Sequence, residues 1–178
     1  YRSSRGLGDV YKRQVVICLM APDGNFNQFD IDAQPFDPVK FFAGSFQAQG
    51  MFVDRFGHVQ KRFLIDISCE TDDNQTTLHE KFTYDDGEKE SRSWTIVKQD
   101  EDAYTAHTDD VVGRGVGHVK GAVFKLKYDF LLTLYGRKVK VRFDDVMVKQ
   151  TENTILNRAK VSKFGLLLGE LFITFSRI

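Results

Sequence analysis

From residue 44 onward, apolar and polar side chains alternate with a period of two. Apolar positions nowhere recur with a 3.6-residue period over three turns. The clearest stretch runs from Thr76 to Lys98. One face there carries Leu78, Glu80, Phe82 and Tyr84, then Glu90, Arg92, Trp94 and Ile96. Successive side chains of a strand point to opposite sides, so this alternation describes half-buried strands. The pattern predicts strands near 45–53, 58–70, 76–84, 88–98, 103–109, 114–120, 122–134, 137–151, 154–163 and 166–177. Turn formers separate them, among them Asp54-Arg55-Phe56-Gly57, Asp72-Asp73-Asn74, Asp85-Asp86-Gly87 and Tyr135-Gly136. Consecutive strands with short turns make an antiparallel meander. An open sheet of about ten strands would expose two edges, and closure removes both. The predicted fold is therefore all-β, an antiparallel up-and-down β-barrel of about ten strands with an extended N-terminal leader.

Turn length fixes which residues face each other. A three-residue loop Asp85-Asp86-Gly87 pairs Tyr84 with Glu88, Phe82 with Glu90, Glu80 with Arg92 and Leu78 with Trp94. A two-residue loop would put Trp94 on the face opposite Leu78, because a one-residue slip flips every side chain. The longer loop keeps the apolar residues together, and glycine suits its last position. It predicts a direct Glu80–Arg92 ion pair on the inner face. In the hairpin at Tyr135-Gly136, a two-residue loop pairs Leu132 with Val139, Phe130 with Val141, Tyr128 with Phe143 and Leu126 with Asp145. Only Tyr128 and Asp145 interrupt that inner face with polar atoms.

The start of the chain is different. Tyr1 to Gln14 has no apolar period and joins nothing downstream. It reads as a non-native segment, of the kind adapter read-through leaves in metagenomic gene predictions, and is set apart from the fold. Without its Arg2, Arg5, Lys12, Arg13 and Asp9, the 25 basic and 25 acidic side chains become 21 and 24, a net of −3. A mildly acidic domain lacks the basic footprint for nucleic acid. Residues 15–40 form a leader. Its run Val15-Val16-Ile17-Cys18-Leu19-Met20-Ala21 is too short to span a bilayer as a helix and fits the remnant of a signal peptide. Cys18 is a candidate lipid anchor, although Ile17 is not the small residue lipidation favours. Residues 22–40 are polar and hold Pro22, Pro35 and Pro38, ending in a short helical turn at Asp37 to Ala43. Residues 41–178 form the single barrel domain. The other cysteine, Cys69, alternates with Ile65 and Ile67 and reads as a buried structural thiol.

Candidate chemistry is sparse. His58, His79, His107 and His118 have no metal spacing, and His79 and His107 face outward by parity. No metal or cofactor is expected. Gly113-Arg-Gly-Val-Gly117 lies between strands, with no helix to hold a phosphate, and reads as a bulged or sharply bent strand. No serine, cysteine or threonine has a nucleophile context. Most carboxylates sit at turns, where they cap the backbone. Glu80 and Asp145 are the exceptions, pointing inward.

Motifs in order along the chain resemble a bacterial lipoprotein-like family known as domain of unknown function 3833. They are Phe63-Leu-Ile-Asp-Ile67, Leu78-His-Glu-Lys-Phe-Thr-Tyr-Asp-Asp-Gly87, Arg92-Ser-Trp94, Tyr104, Asp110-Val-Val-Gly113, Tyr128, Phe143-Asp-Asp-Val-Met147, Asn157-Arg158 and Ser162-Lys-Phe-Gly165. The family favours tryptophan near 46 and 146, where this chain has Phe46 and Val146, which makes it a divergent member. The resemblance implies a signal peptide or lipidation signal, the envelope of a Gram-negative bacterium on its periplasmic side, and genes nearby for lipid modification. It implies no catalytic residue. A second resemblance is to lipocalin-like (calycin) barrels. Phe41-Phe-Ala-Gly44-Ser-Phe46 is similar to the short helix and Gly-x-aromatic that open that fold, with Arg158 or Arg177 stacking beneath the aromatic.

Together these readings describe a non-enzymatic binder or carrier of a hydrophobic, lipid-like ligand. Its candidate ligand-binding residues are Glu80, Tyr84, Arg92, Trp94, Tyr128 and Asp145. The alternatives are a lipid- or isoprenoid-modifying enzyme using an inward carboxylate, and a structural lipoprotein whose barrel is filled by its own side chains.

Overall fold

The computed structural model describes residues 36–134 and 136–178. The adapter-like segment, Cys18 and most of the leader lie outside the described residues. A short helix α1 (Pro38–Phe41) precedes ten strands: β1 (Gly44–Asp54), β2 (Val59–Thr71), β3 (Gln75–Tyr84), β4 (Lys89–Lys98), β5 (Ala103–His107), β6 (Gly115–Lys120), β7 (Val123–Leu134), β8 (Arg137–Lys149), β9 (Thr154–Lys163) and β10 (Leu166–Arg177). Each pairs antiparallel with its sequence neighbours, and β1 pairs with β10 to close the barrel. The predicted number and order of strands are those observed.

Both predicted hairpin registers hold. Leu78 faces Trp94, Glu80 faces Arg92 and Phe82 faces Glu90. The Tyr84 N–H donates to Glu88 O at 2.9 Å, and Gly87 takes the positive φ of 86° that the turn requires. Across β7 and β8, Leu126 faces Asp145 and Tyr128 faces Phe143. The glycine run carries no bulge. Gly115 and Gly117 sit in β6 with no register break toward β5 or β7. They give room rather than a bulge: a Cβ on Gly117 would lie 2.4 Å from the Phe124 ring. Cys69 is a free thiol that is half-buried rather than buried, and it packs against the core.

The end of the barrel where β1 begins is plugged. Asp37 caps α1, its side chain accepting from Val39 N and Lys40 N at 3.1 and 3.3 Å, with Pro38 opening the helix. The helix carries Phe41 under the barrel, next to Phe36, Phe42 and Phe46, all buried. Their rings meet at 5.4–5.6 Å, largely edge to face. Polar bonds fasten the plug to the wall. Thr71 and Thr76 hydroxyls each donate to Phe42 O at 2.8 Å, and Lys98 pairs with Asp37 at 2.9 Å. The floor arginine is Arg177, not Arg158. Its guanidinium lies 4.7 Å from the centre of the Phe46 ring and donates to Ala43 O and Phe41 O. Arg158 faces outward and pairs with Glu170.

Trp94 is 9 % exposed on the inner face, beside Tyr128 at 5.1 Å. Its emission should be blue-shifted, and Trp94→Ala should cost about 3–5 kcal/mol in urea unfolding. A free-indole emission maximum would contradict its inward placement.

Candidate functional site

Six inward residues were singled out by parity, and all six line one cavity of about 240 Å³ inside the barrel. Glu80 and Tyr84 come from β3, Arg92 and Trp94 from β4, Tyr128 from β7 and Asp145 from β8. Apolar side chains make the rest of the wall, chiefly Phe63, Ile65, Phe82, Leu126, Phe130 and Ile173. A larger concavity of about 870 Å³ involves the outward-facing Met51, Leu64, Leu156 and Phe172. It shares Phe63, Tyr84, Asn157 and Ile173 with the smaller cavity, whereas Glu80, Arg92 and Asp145 line the smaller one alone.

The predicted Glu80–Arg92 ion pair does not form, although their backbones are partners. Arg92 instead pairs with Glu90, two residues along the same strand face, at 2.5 Å. Tyr84 donates its hydroxyl to the other oxygen of Glu90 at 2.7 Å. Glu90 keeps partial access to solvent, whereas Glu80 is 7 % exposed. Ionising the wetter carboxylate costs less, so the guanidinium turns toward it. Its charge also lies against two rings, 5.4 Å from the centre of Phe82 and 4.9 Å from that of Phe130. Burial opposes the ionisation of Glu90, but the Tyr84 hydroxyl and the Arg92 charge outweigh it and hold its pKa below the usual range.

Glu80 is left without an ion pair. Burial pushes its pKa up to about 7, against the opposing pull of the Arg92 charge. Asp145, 4 % exposed, is also pushed up to about 7 by burial, with Tyr128 as the polar neighbour that draws it back. The Tyr128 hydroxyl is raised in turn by burial and by Asp145. Its ring stacks on Phe143 at 5.0 Å and a 5° interplanar angle. Among the described residues, three buried polar atoms have no hydrogen-bond partner: Arg92 Nε, Asp145 Oδ1 and Asn157 Oδ1. All three residues line the cavity.

Sequence reasoning did not select Glu90 or Asn157. Asn157 was legible as the polar break in an inward series of Ile155, Asn157, Ala159 and Val161 on β9. Glu90 was legible as an inner-face residue, but its hold on Arg92 depends on side-chain direction. The histidines make no metal cluster among the described residues. His79 and His107 face outward, bonded to Ser93 and Gly113 O.

The family model described as "protein of unknown function (DUF3833)" matches residues 16–177, and the chain belongs to that family. Its fold is shared with solved structures at low identity. The S-type phycobiliprotein lyase CPES from Guillardia theta is 12 % identical with a TM-score of 0.59, over 79 % of this chain and 90 % of that one. Rv2717c from M. tuberculosis is 13 % identical with a TM-score of 0.56, over 80 % and 99 %. No curated protein matches in sequence. The closed ten-strand barrel fits the lipocalin-like, calycin-type fold.

Two outcomes are expected. A double-mutant cycle of Glu90→Gln with Arg92→Met should give a coupling of about 1 kcal/mol, reduced by the solvent at Glu90. The same cycle on Glu80 should give less; the reverse order would restore the cross-strand pair. The second outcome concerns pH. Glu80 titrates near 7 in the fold against 4.5 when unperturbed, so the native state holds its proton longer. Stability from this group is complete below about pH 4 and is lost as pH rises through about 7. Urea midpoints should therefore fall between pH 5 and 8, and Glu80→Gln should flatten that fall by roughly 3 kcal/mol. An unchanged pH slope in the variant would place Glu80 in water.

Proposed function

We propose that this barrel binds a small hydrophobic molecule with one polar end, and that the molecule is lipid-like. The observation that carries the reading is the trio of partnerless buried atoms around a largely apolar cavity. Leaving buried polar groups unpaired costs about 1–3 kcal/mol each, so a fold keeps them where something else completes them. Arg92 Nε offers a donor, while Asp145 Oδ1 and Asn157 Oδ1 offer acceptors. A hydroxyl or carboxyl group on an aliphatic body supplies both counterparts. The aromatic wall formed by Phe63, Phe82, Trp94, Phe130 and Phe143 suits that body. Glu80, Tyr84, Arg92, Trp94, Tyr128 and Asp145 are the binding residues in this reading, joined by Asn157.

A cavity of about 240 Å³ suits one short chain or ring system rather than a two-chain lipid. A bacterial envelope location, on the periplasmic side, and an anchor at Cys18 are part of the same proposal and rest on the lipoprotein-like family resemblance. A second reading, acid–base catalysis on the bound lipid, has one observation in its favour: Glu80 and Asp145 both titrate near 7, where a general acid or base works best.

The test is native mass spectrometry of protein purified without detergent, together with titration by octanoic acid read from the Trp94 emission. A co-purifying hydrophobic molecule and saturable probe binding are expected. Ala159, buried on the cavity wall, provides the control. Ala159→Leu should fill the space and weaken the probe about tenfold, the worth of roughly two buried methylenes. Absence of saturable binding, or binding that ignores Ala159→Leu, would end the carrier reading. A bound molecule that changes mass on incubation, and stops doing so in Glu80→Gln or Asp145→Asn, would favour the enzyme.

A further inference from the structure

The end of the barrel opposite the plug carries apolar side chains where water should select polar ones. Phe164 stands at the tip of the β9–β10 turn and is 94 % exposed; Phe56 stands at the tip of the β1–β2 turn and is 70 % exposed. Leu166 and Leu167 continue the β10 side, also exposed. The two turns are neighbours, since Arg55 N–H donates to Leu168 O at 3.0 Å across the seam.

Phe164 is also held at a conformational cost. Lys163 pairs with Leu166, so Phe164-Gly165 is a two-residue loop, with φ of 51° and 79°. Such a loop favours asparagine before glycine, and a bulky residue at positive φ is strained. Phe164 is the one non-glycine residue with positive φ among the described residues. An exposed aromatic in a strained position gains nothing inside its own fold, and such strain marks functional sites.

The surroundings say what the tips meet. Lys163 Nζ lies 5.3 Å from the centre of the Phe164 ring, and the Arg55 guanidinium lies 4.7 Å from that of Phe56. Lys140 and Arg142 line the groove beside Phe164, with Asp129 as their counter-ion. Next along this side of the rim are Arg137 and Lys138 of the β7–β8 hairpin, the latter paired with Asp110. The other side of the rim carries Asp85, Asp86 and Glu88 in the β3–β4 turn, offset by Lys61 and Arg62, while Asp54 accepts from Phe56 N–H within the β1–β2 turn. One half of the mouth is thus apolar at its tips and basic behind them. That is the order of groups found across a lipid interface, with rings at the acyl boundary and cations at the headgroups.

We propose that the β1–β2 and β9–β10 tips dock the barrel on an anionic bilayer surface, with the Phe56 and Phe164 rings in the interface and the Arg55, Lys163 and β7–β8 cations on the headgroups. The surface is separate from the cavity chemistry, so it stands or falls independently of the carrier reading. If both hold, the mouth of the barrel faces the hydrocarbon from which a lipid-like ligand would come.

The experiment is co-sedimentation of the full chain with vesicles of phosphatidylcholine alone and of phosphatidylcholine mixed with phosphatidylglycerol. Binding should require the anionic lipid and decline with salt. Phe56→Ser with Phe164→Asn should weaken it about tenfold or more. Asparagine fits the positive φ better than phenylalanine, so the thermal midpoint should not fall and misfolding is excluded as the cause. Binding of octanoic acid should be unchanged in this variant, which separates docking from the cavity. Arg55→Glu with Lys163→Glu should remove the preference for phosphatidylglycerol. Failure of the unaltered chain to bind either vesicle would overturn the proposal. Undiminished binding of the phenylalanine variant would do so as well, assigning attachment to another segment such as residues 15–21. Ultracentrifugation showing a dimer that the phenylalanine changes dissolve would assign the patch to a second copy instead.

Discussion

Closure of the sheet is the constraint on which the rest depends. β1 runs against β10 from Phe46↔Arg177 to Asp54↔Gly169, and this seam leaves no strand edge in water. Once the sheet is closed, the two-residue period of every strand sends alternate side chains into one shared interior. Close approach at the seam needs small residues. A Cβ on Gly169 would lie 2.4 Å from Val53 O, and one on Gly50 would lie 2.6 Å from Phe172 O. The rings of Phe63 and Phe52 occupy the space that a Cβ would take at Gly50 and Gly169.

The two ends of that interior are treated differently. At one end Arg177 spends its polar atoms on the carbonyls of Phe41 and Ala43 and lays its flat face near Phe46 and Phe41. A delocalised cation can do both at once, which a lysine cannot. It thereby holds α1 as a stopper. The other end has no helix across it among the described residues, and its turns carry exposed rings. Between them lie polar groups that a purely structural core would avoid. Burial raises the pKa of Glu80 and Asp145 to about 7, and three polar atoms among the described residues are incompletely paired. Apolar replacements would raise stability, which is the usual relation between a stable core and a working one.

The polar cluster also shows how charge is distributed in a drying environment. One cation, Arg92, has two carboxylates of its own hairpin near it. It forms its contact with the one that retains water, and burial raises the pKa of the drier one to about 7. The interior therefore holds one compensated ion pair and two carboxyls whose ionisation burial opposes, rather than a network of full charges.

Much of this was legible in the amino-acid order. Alternation gave ten strands, and the parity of the Asp85-Asp86-Gly87 and Tyr135-Gly136 loops gave the facing residues, because a slip of one residue would have turned Trp94 and Leu78 to opposite sides. Parity, with polar or aromatic character as the second criterion, picked six side chains that share a cavity, since inwardness in a closed sheet is a property of sequence position. Other outcomes required the folded coordinates. Whether Arg92 reaches along its strand to Glu90 or across to Glu80 depends on rotamers and local water, which position in the chain does not encode. The choice of Arg177 over Arg158 for the floor follows from which of two arginines on adjacent strands faces inward beneath α1. The role of Gly117 as space for the Phe124 ring, and the exposure of Phe164 on a strained turn, arise from three-dimensional neighbours. Local pattern determined the strands and their faces because the backbone repeats every two residues. Tertiary structure decided partners, protonation and exposure because these depend on what the closed barrel brings near and how much water it leaves there.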